Sequence, residues 1–207
     1  MLLEPGGVKR APVCVVDLTD RAAGNEGLGH VLERLADGGE EPALVVRGLA
    51  YAHGAHHGRV VVAVGAGPLQ RPLMRTLCVS EASQCQRHLF CVVREALEEM
   101  TGALSPGRPV GEVDDAHRRV LDAAGLKEHR YAACGYSLGA TFSPNWMDWP
   151  MLFSGNPVQA EPGMIFFLHC IVVNSGLGVA MTAGHTCLVT ETGREVLSGR
   201  PLELVVV

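Results

Sequence analysis

The stretch that decides the fold is RVVVAVGAGPLQRPLMRT, residues 59–76. Its alternating side-chain directions and its Gly-containing turn predict two short strands that pair with each other. Two positions that the alternation places on the inward side, Ala63 and Pro72, carry no functional group. The predicted strand pair therefore has no polar or ionisable side chain at these two inward positions.

The segments around this pair predict an α+β domain. An amphipathic helix runs from about Ser83 to Met100, and a second one ends at Gly125. Strand-like and helical segments precede the pair, namely VCVVDL, NEGLGHVLERLADGG and PALVVRGLA. From Tyr131 onward the pattern is typical of strands, with the apolar runs MIFFLHCIVV, GVAMTAGHTCLVT and PLELVVV. We expect the helices to pack on one face of a curved antiparallel sheet.

Composition excludes several classes of function. With 207 residues, 47% of them hydrophobic, the chain has enough apolar residues for one core and one domain. Its 17 Lys and Arg residues against 22 Asp and Glu residues give no basic surface for nucleic acid. The apolar runs are shorter than the roughly 20 residues of a membrane-spanning helix, and the first residues lack the apolar region of a signal peptide. We expect a soluble, cytoplasmic protein with no membrane partner.

The seven cysteines are scattered singly and show no C-x-x-C spacing. This pattern favours reduced, structural thiols over a zinc site or a disulfide framework. A nucleophilic Cys134 or Cys170 is the alternative.

The order of the segments resembles the pita-bread fold of creatinase and of the methionine and prolyl aminopeptidases. VAVGAG…RPLMRT resembles that family's D-x-G-A…D-x-T-R-T strands, SPGRPVGEVDDAHRRVLDAAGL its P-G…E-V helix, and CGYSLGA its G-H-G-I-G turn. EPGMIFFLH and GHTCLVTETGREVLS resemble its last two motifs. The likeness runs from about Pro42 to Ser198. It implies a single pita-bread domain over residues 1–207 with a shortened N-terminal part of about 40 residues, without creatinase's extra N-terminal domain.

The departures from the family pattern bear on its metal site. The resemblance implies a dinuclear site of two Asp, one His and two Glu. The corresponding residues here are Ala63, Pro72, Tyr136, His169 and Gly184. Only His169 is an ordinary ligand for a divalent ion, and one imidazole does not hold a metal pair. We therefore expect no metal and no other cofactor, and no active metallo-aminopeptidase.

Strand alternation groups the matched positions into a mostly apolar substrate pocket. Its predicted lining consists of Val61, Ala63, Pro72, Met74, Phe167, Thr182 and Gly184. Tyr136 and His169 are its main polar groups, and burial would keep both neutral at pH 7. A neutral His can accept a proton and a Tyr can donate one, so we expect these two to form the catalytic pair. The plainer interpretations are a core His169 bonded to a backbone carbonyl and a Tyr136 that only packs.

Two loops complete the predicted site. The turn YAHGAHHG lies where the family carries a substrate-facing His, and we assign His56 to that catalytic place over His53 and His57. A replacement metal site from these residues and His169 lacks the ligand spacing of a helix. The loop SPNWMDWP holds both Trp residues, and we expect Trp146 to contact the substrate as part of a lid or an interface.

Two other polar residues are assigned to structural roles. Arg75 matches the Arg of T-R-T and is expected to anchor backbone or a carboxylate. His185 lies on the opposite strand face from Gly184.

These observations leave three functions open. The first is a metal-independent enzyme of isomerase, lyase or cyclase type that acts on a small, largely apolar metabolite, in specialised biosynthesis. The second is a metal-free C–N hydrolase of the creatinase or ectoine-hydrolase type, since GYSLGATFSPNW resembles the latter's G-Y-S-I-G and Pro-x-Trp segment. The third is a non-catalytic binding or scaffold protein. We expect the first of these, and the family resemblance implies a homodimer.

Overall fold

The computed structural model describes the backbone of strands 45–49 and 59–65, and all atoms of residues 73–78, 81–139, 148–174, 177–198 and 201–206. The predicted strand VCVVDL and the predicted helix over NEGLGHVLERLADGG lie outside these residues.

Helix α1 spans Gln84–Ala103. It begins at a capping box in which the Ser83 hydroxyl accepts from the Gln86 backbone N–H and the Gln86 side chain accepts from the Ser83 N–H. Its apolar residues recur every three or four positions and are buried, which confirms the predicted helix. The helix continues three residues beyond the predicted end at Met100.

Helix α2 spans Gly111–Ala123 and carries Glu112 and Asp114 in its first turn, where the helix dipole favours acidic residues. It ends before Gly125, whose φ of +69° is a left-handed conformation that terminates helices. This end agrees with the prediction. A 3₁₀ turn over Lys127–His129 leads to the strands. Within the described residues, no helix is both long and apolar enough to cross a membrane.

In the part of the chain that the structure describes, nine strands form one sheet. They are β1 Val45–Leu49, β2 Arg59–Gly65, β3 Leu73–Cys78, β4 Gly135–Leu138, β5 Asp148–Met151, β6 Ile165–Asn174, β7 Val179–Val189, β8 Arg194–Val196 and β9 Val205–Val206. Their order is β1-β2-β3-β7-β6-β4-β5, with β8 on β7 and β9 on β3. The predicted pairing of β2 with β3 is confirmed. β9 is the exception to the antiparallel pairing, because it pairs with β3 in parallel. Within the described residues 201–206, the predicted strand PLELVVV forms only over Val205–Val206.

The two faces of the sheet differ in what covers them. In β6, Phe166, Leu168 and Cys170 belong to the apolar core that also contains the buried residues of the helices. The alternating residues Phe167 and His169 point to the opposite face. We call this opposite face the site face, defined by Tyr136, Phe167, His169 and Gly184. Helices on one face of a mostly antiparallel sheet confirm the predicted α+β class.

Candidate active site

Strand pairing places four of the predicted site positions in one row. Ala63 of β2 is opposite Met74 of β3, Met74 is opposite Gly184 of β7, and Gly184 is opposite His169 of β6. Directly opposite residues share a sheet face, so the row runs across the site face. Val61 is likewise paired with Thr76, two residues along β3 from Met74.

Three aromatic rings meet at one end of this row. The ring centroids of Tyr136 and His169 are 5.9 Å apart, those of Tyr136 and Phe167 5.6 Å, and those of Phe167 and His169 5.3 Å. Tyr136 reaches this place because β4 pairs with β6 and sets Tyr136 opposite Phe167. The structure thus brings together Tyr136 and His169, the two polar residues that the sequence singles out.

His169 is buried, with 6% of its surface exposed. Its backbone N–H donates to the Cys134 carbonyl over 2.8 Å, which fixes the main chain. Its side-chain Nδ1 is buried and has no hydrogen-bond partner among the described residues. The carbonyl partner of the plainer interpretation is therefore not found for Nδ1 in this part of the chain. Burial, with a smaller contribution from nearby His117, lowers the pKa of His169 to about 4, so the imidazole is neutral at pH 7.

Tyr136 is half-buried, and its ring meets the edges of the Phe167 and His169 rings. Burial raises the pKa of its phenol. Tyr136 therefore keeps its proton at pH 7 and can donate a hydrogen bond or a proton toward the site face.

Gly184 lies beneath the rings. A Cβ added there would stand 2.9 Å from Cζ of Phe167, 3.0 Å from Cβ of His169 and 2.9 Å from the Leu168 carbonyl oxygen. Real Cβ atoms do not approach other atoms so closely, so the rings fill the space that a side chain at this position would need. The role of Gly184 as a substrate contact stays a prediction. The structure shows that the lack of a side chain at Gly184 makes room for the Phe167 and His169 side chains.

Thr182 lies two residues before Gly184 on β7 and contacts Met74 of the row. The Thr182 hydroxyl donates to the Met74 sulfur, and Thr182 is 2% exposed. Thr76, which the sequence did not single out, joins the two strands, because its hydroxyl donates to the Thr182 carbonyl (3.0 Å) and accepts from the Thr182 N–H (2.9 Å). The family motif T-R-T could have pointed to Thr76, because Thr76 follows Arg75, which was already matched to the Arg of that motif.

The described residues do not fit a pair of hydrolytic metal ions at this site. The site-face positions Tyr136, His169 and Gly184 offer one phenol, one imidazole and no carboxylate. Among the described residues, the one group of three or more potential ligands is Asp114, His117 and Cys134, and it does not include His169. Hard divalent ions need several anionic ligands. We therefore derive no catalytic step through a metal ion.

Three of the predicted site residues, His56, Pro72 and Trp146, lie outside the described residues, as do His53 and His57. The side chains of Val61 and Ala63 also lie outside them, although their strand positions are described.

Arg75 and His185 take the structural roles predicted for them. Nη1 of Arg75 donates to the carbonyls of Gly184 (2.7 Å) and Met74 (2.8 Å), and Nε donates to that of Pro201 (3.0 Å). Nε2 of His185 lies 2.7 Å from the hydroxyl of Thr101 on α1, so His185 faces the helices and not the site. Both predictions are confirmed.

The cysteines follow the predicted pattern. All six within the described residues are free thiols. Cys134 and Cys170 are fully buried, and burial raises the pKa of both thiols. A buried neutral thiol is a poor nucleophile, so these observations disfavour the alternative of a nucleophilic cysteine.

Comparison with known proteins agrees with this geometry. Residues 71–191, more than half of the chain, match the model of metallopeptidase family M24. A Sinorhizobium fredii protein named as an uncharacterized hydrolase/peptidase, y4tM, is 32% identical over 65% of this chain and 34% of its own length. The probable dipeptidase PepE of Mycobacterium tuberculosis is 29% identical over 84% of this chain and 48% of its own length. The crystal structure of dipeptidase PepE from Mycobacterium ulcerans superposes with a TM-score of 0.71 at 23% identity, over 86% of this chain and 51% of that one.

These relatives overturn the expectation of an isomerase, lyase or cyclase. They are named as dipeptidases and as a hydrolase/peptidase, which points to hydrolysis. The expectation was wrong because a neutral imidazole can activate water as well as it can move a substrate proton, so the residues themselves did not distinguish hydrolysis from isomerisation. The present chain spans a third to a half of the length of these curated relatives. By its sheet, its row of site positions and its family match, the chain belongs to metallopeptidase family M24.

Proposed function

We propose that this protein hydrolyses a C–N amide bond in a small peptide-like molecule and does so without a catalytic metal ion. The observation that carries the proposal is the buried, neutral His169 beside the phenol of Tyr136 on an M24 fold. Its Nδ1 has no hydrogen-bond partner among the described residues. The names of the relatives supply the bond type, since dipeptidases cleave C–N bonds.

The proposed reaction uses the two side chains in complementary roles. His169 accepts a proton from water as the water oxygen attacks the carbonyl carbon, and Tyr136 donates a hydrogen bond to the oxygen that gains negative charge. The protonated imidazole then gives its proton to the leaving nitrogen as the C–N bond breaks. The hydroxyl group of the water thus ends in the carboxylic acid product and its other proton in the amine product. Positioned proton transfer of this kind supplies a rate enhancement of about 10² to 10⁴.

The surroundings favour an uncharged reacting group. On the described part of the site face, the neighbours of the pair are Phe167, Met74, Thr182 and Gly184, none of which carries a charge. The guanidinium of Arg75 on β3 is bonded to backbone carbonyls. Arg47 of β1 is paired with Ala63, so its position belongs to the row but lies at the opposite end from His169. A neutral amide suits such apolar walls better than a free amino or carboxylate terminus.

Product analysis tests the proposal. The full chain is incubated with a panel of dipeptides, N-acyl amino acids and cyclic amides in heavy-oxygen water, and the products are followed by mass spectrometry. We expect one heavy oxygen atom in the carboxyl group that forms from the cleaved amide and none in a carboxyl group that the substrate already carried, with turnover lost in His169→Phe and Tyr136→Phe. A ligand that binds without conversion would instead favour the scaffold function and would contradict the proposal.

The homodimer implied by the family resemblance is part of the same proposal. We expect light scattering during gel filtration to give twice the 22.0 kDa mass of the chain. A mass equal to one chain would contradict the homodimer.

A further inference from the structure

A second cluster of side chains that can bind a metal ion lies on the helix side of the sheet, close to His169 but not including it. Asp114 and His117 of α2 and Cys134, just before β4, each offer one potential ligand atom, and these atoms lie within 4.8 Å of one another. The three residues are 2%, 0% and 0% exposed. The i,i+3 spacing puts Asp114 and His117 on one face of α2, and the turn before β4 brings Cys134 to them.

The imidazole of His117 lacks the hydrogen bonds that a buried polar group needs. Both ring nitrogens are inaccessible to solvent and have no hydrogen-bond partner among the described residues. The nearest carboxylate oxygen, Oδ1 of Asp114, is 3.7 Å from Nδ1, beyond the range of a hydrogen bond. An unsatisfied buried polar atom is costly, so its persistence calls for a missing partner.

The carboxylate of Asp114 is held in a fixed orientation. Its Oδ2 accepts from Nε of Arg118 over 2.6 Å and from the Ser154 N–H over 3.0 Å. Its Oδ1 lies 3.4 Å from Nη1 of Arg130 and 3.7 Å from Nδ1 of His117. Carboxylates that bind a metal ion are usually held by outer hydrogen bonds such as those of Arg118 and Ser154.

The same three residue types also occur in cysteine hydrolases, but the burial argues against that role here. No part of Cys134 or His117 is exposed, so a substrate has no access to the thiol. Burial and the neighbouring Asp114 also raise the pKa of Cys134 well above its usual value, the reverse of what a nucleophile needs. A bound cation would displace the thiol proton, because metal ions deprotonate the thiols that they bind.

We propose that Asp114, His117 and Cys134 bind one thiophilic divalent cation of the zinc type as a structural centre. Carboxylate, imidazole and thiolate are the ligands that zinc takes in proteins. The Cys134 thiol donates to the Leu152 carbonyl oxygen over 3.8 Å, so this carbonyl borders the cluster on its sulfur side. The ion would tie α2 to the start of β4, whose Cys134 carbonyl accepts from His169. This inference does not depend on the proposed function.

Metal analysis of the purified full chain tests the proposal. We expect about one zinc ion per chain, a thiolate-to-cobalt charge-transfer band when cobalt replaces zinc, and a higher Tm with the ion than without it. Cys134→Ser should lose the ion and the band. Cys170→Ser, which removes another buried thiol, and His169→Phe, which alters the site face, should keep both.

Three results would overturn the proposal. They are a wild-type chain that carries no zinc and gives no cobalt band, a full complement of zinc in Cys134→Ser, and loss of the ion in His169→Phe. If Cys134→Ser does not fold, the wild-type metal content and cobalt spectrum still decide the question.

Discussion

The phenyl ring of Phe167 occupies the space in front of Gly184, with its Cζ 2.9 Å from the point that a Cβ on Gly184 would take. The family resemblance places an acidic metal ligand at this position. Here the volume of such a side chain is filled by the aromatic ring, and the imidazole of His169 packs beside it at a centroid distance of 5.3 Å. A side chain at residue 184 would therefore collide with the Phe167 ring and with Cβ of His169, so the observed packing of these two residues requires a glycine there.

We predict that Gly184→Ala destabilises the protein by about 1–3 kcal/mol, because the added methyl group must displace the Phe167 ring or the backbone of β6. Denaturation in urea measures this cost. The matched control is Gly102→Ala in α1, where nothing lies within 4 Å of the new Cβ. That change should leave stability unchanged or raise it by up to about 1 kcal/mol, through better helix propensity. Equal stability of the two variants would contradict the prediction and show that the Phe167 ring can move aside at little cost.

The stability of the protein should fall between about pH 6.5 and pH 4. Burial lowers the pKa of His169 to about 4, so in this interval the unfolded chain binds a proton that the folded chain does not. The free energy of unfolding therefore decreases as pH falls, by up to about 3 kcal/mol for this residue. His169→Phe should show a correspondingly flatter dependence in urea titrations at several pH values. Parallel curves for wild type and variant would contradict the buried, neutral imidazole.

Hydrolysis should depend on His169 but not on His185. Both are buried, and burial lowers the pKa of each to about 4. Only His169 faces the site, so His169→Phe should reduce kcat by about 10² to 10⁴. His185→Gln, which retains a hydrogen-bonding group for Thr101, should stay within a few fold of wild type. Wild-type activity should remain on a plateau above about pH 5 and decline below it, as the base becomes protonated. Equal losses in both variants would mean that burial, not position, explains the effect.

Arg75→Met should loosen the C-terminal strand. The change removes the donors to the Gly184, Met74 and Pro201 carbonyls and leaves buried acceptors unpaired, at a cost of about 1–3 kcal/mol. Hydrogen exchange at Val205 and Val206 should become faster, because β9 is held on β3 next to this anchor. Arg94→Met removes an exposed arginine with a long 3.8 Å contact to Glu98 and should change stability by less than about 0.5 kcal/mol. Unaltered exchange in Arg75→Met would contradict the anchoring role.

The local pattern of the sequence predicted the elements well where each element carries its own signal. The recurrence of Leu89, Val93, Leu97 and Met100 predicts α1, but the pattern stops at Met100. The last turn continues because the Thr101 hydroxyl bonds to the Leu97 carbonyl and to His185 on the sheet. That second contact is tertiary and leaves no mark in the helix sequence.

The site was predicted only in part. Alternation along the strands, aligned by the family resemblance, places Tyr136 and His169 near each other, and the structure brings their rings to 5.9 Å. The packing of Phe167 over Gly184 was not predictable, because it depends on a side-chain rotamer and on the pairing of β6 with β7. The cluster around His117 was missed for a similar reason. Its members belong to a helix and to a strand start, and only the fold brings them together.

The most direct test of the central claim is turnover of small peptides and amides by the wild-type chain without added metal ions, then with added Mn²⁺ or Co²⁺, and by His169→Phe under both conditions. We predict hydrolysis by the wild-type chain at the same rate under both conditions and none by the variant. Turnover that begins only when the metal ion is added, or that persists in His169→Phe, would contradict a metal-independent hydrolase in which His169 is the base.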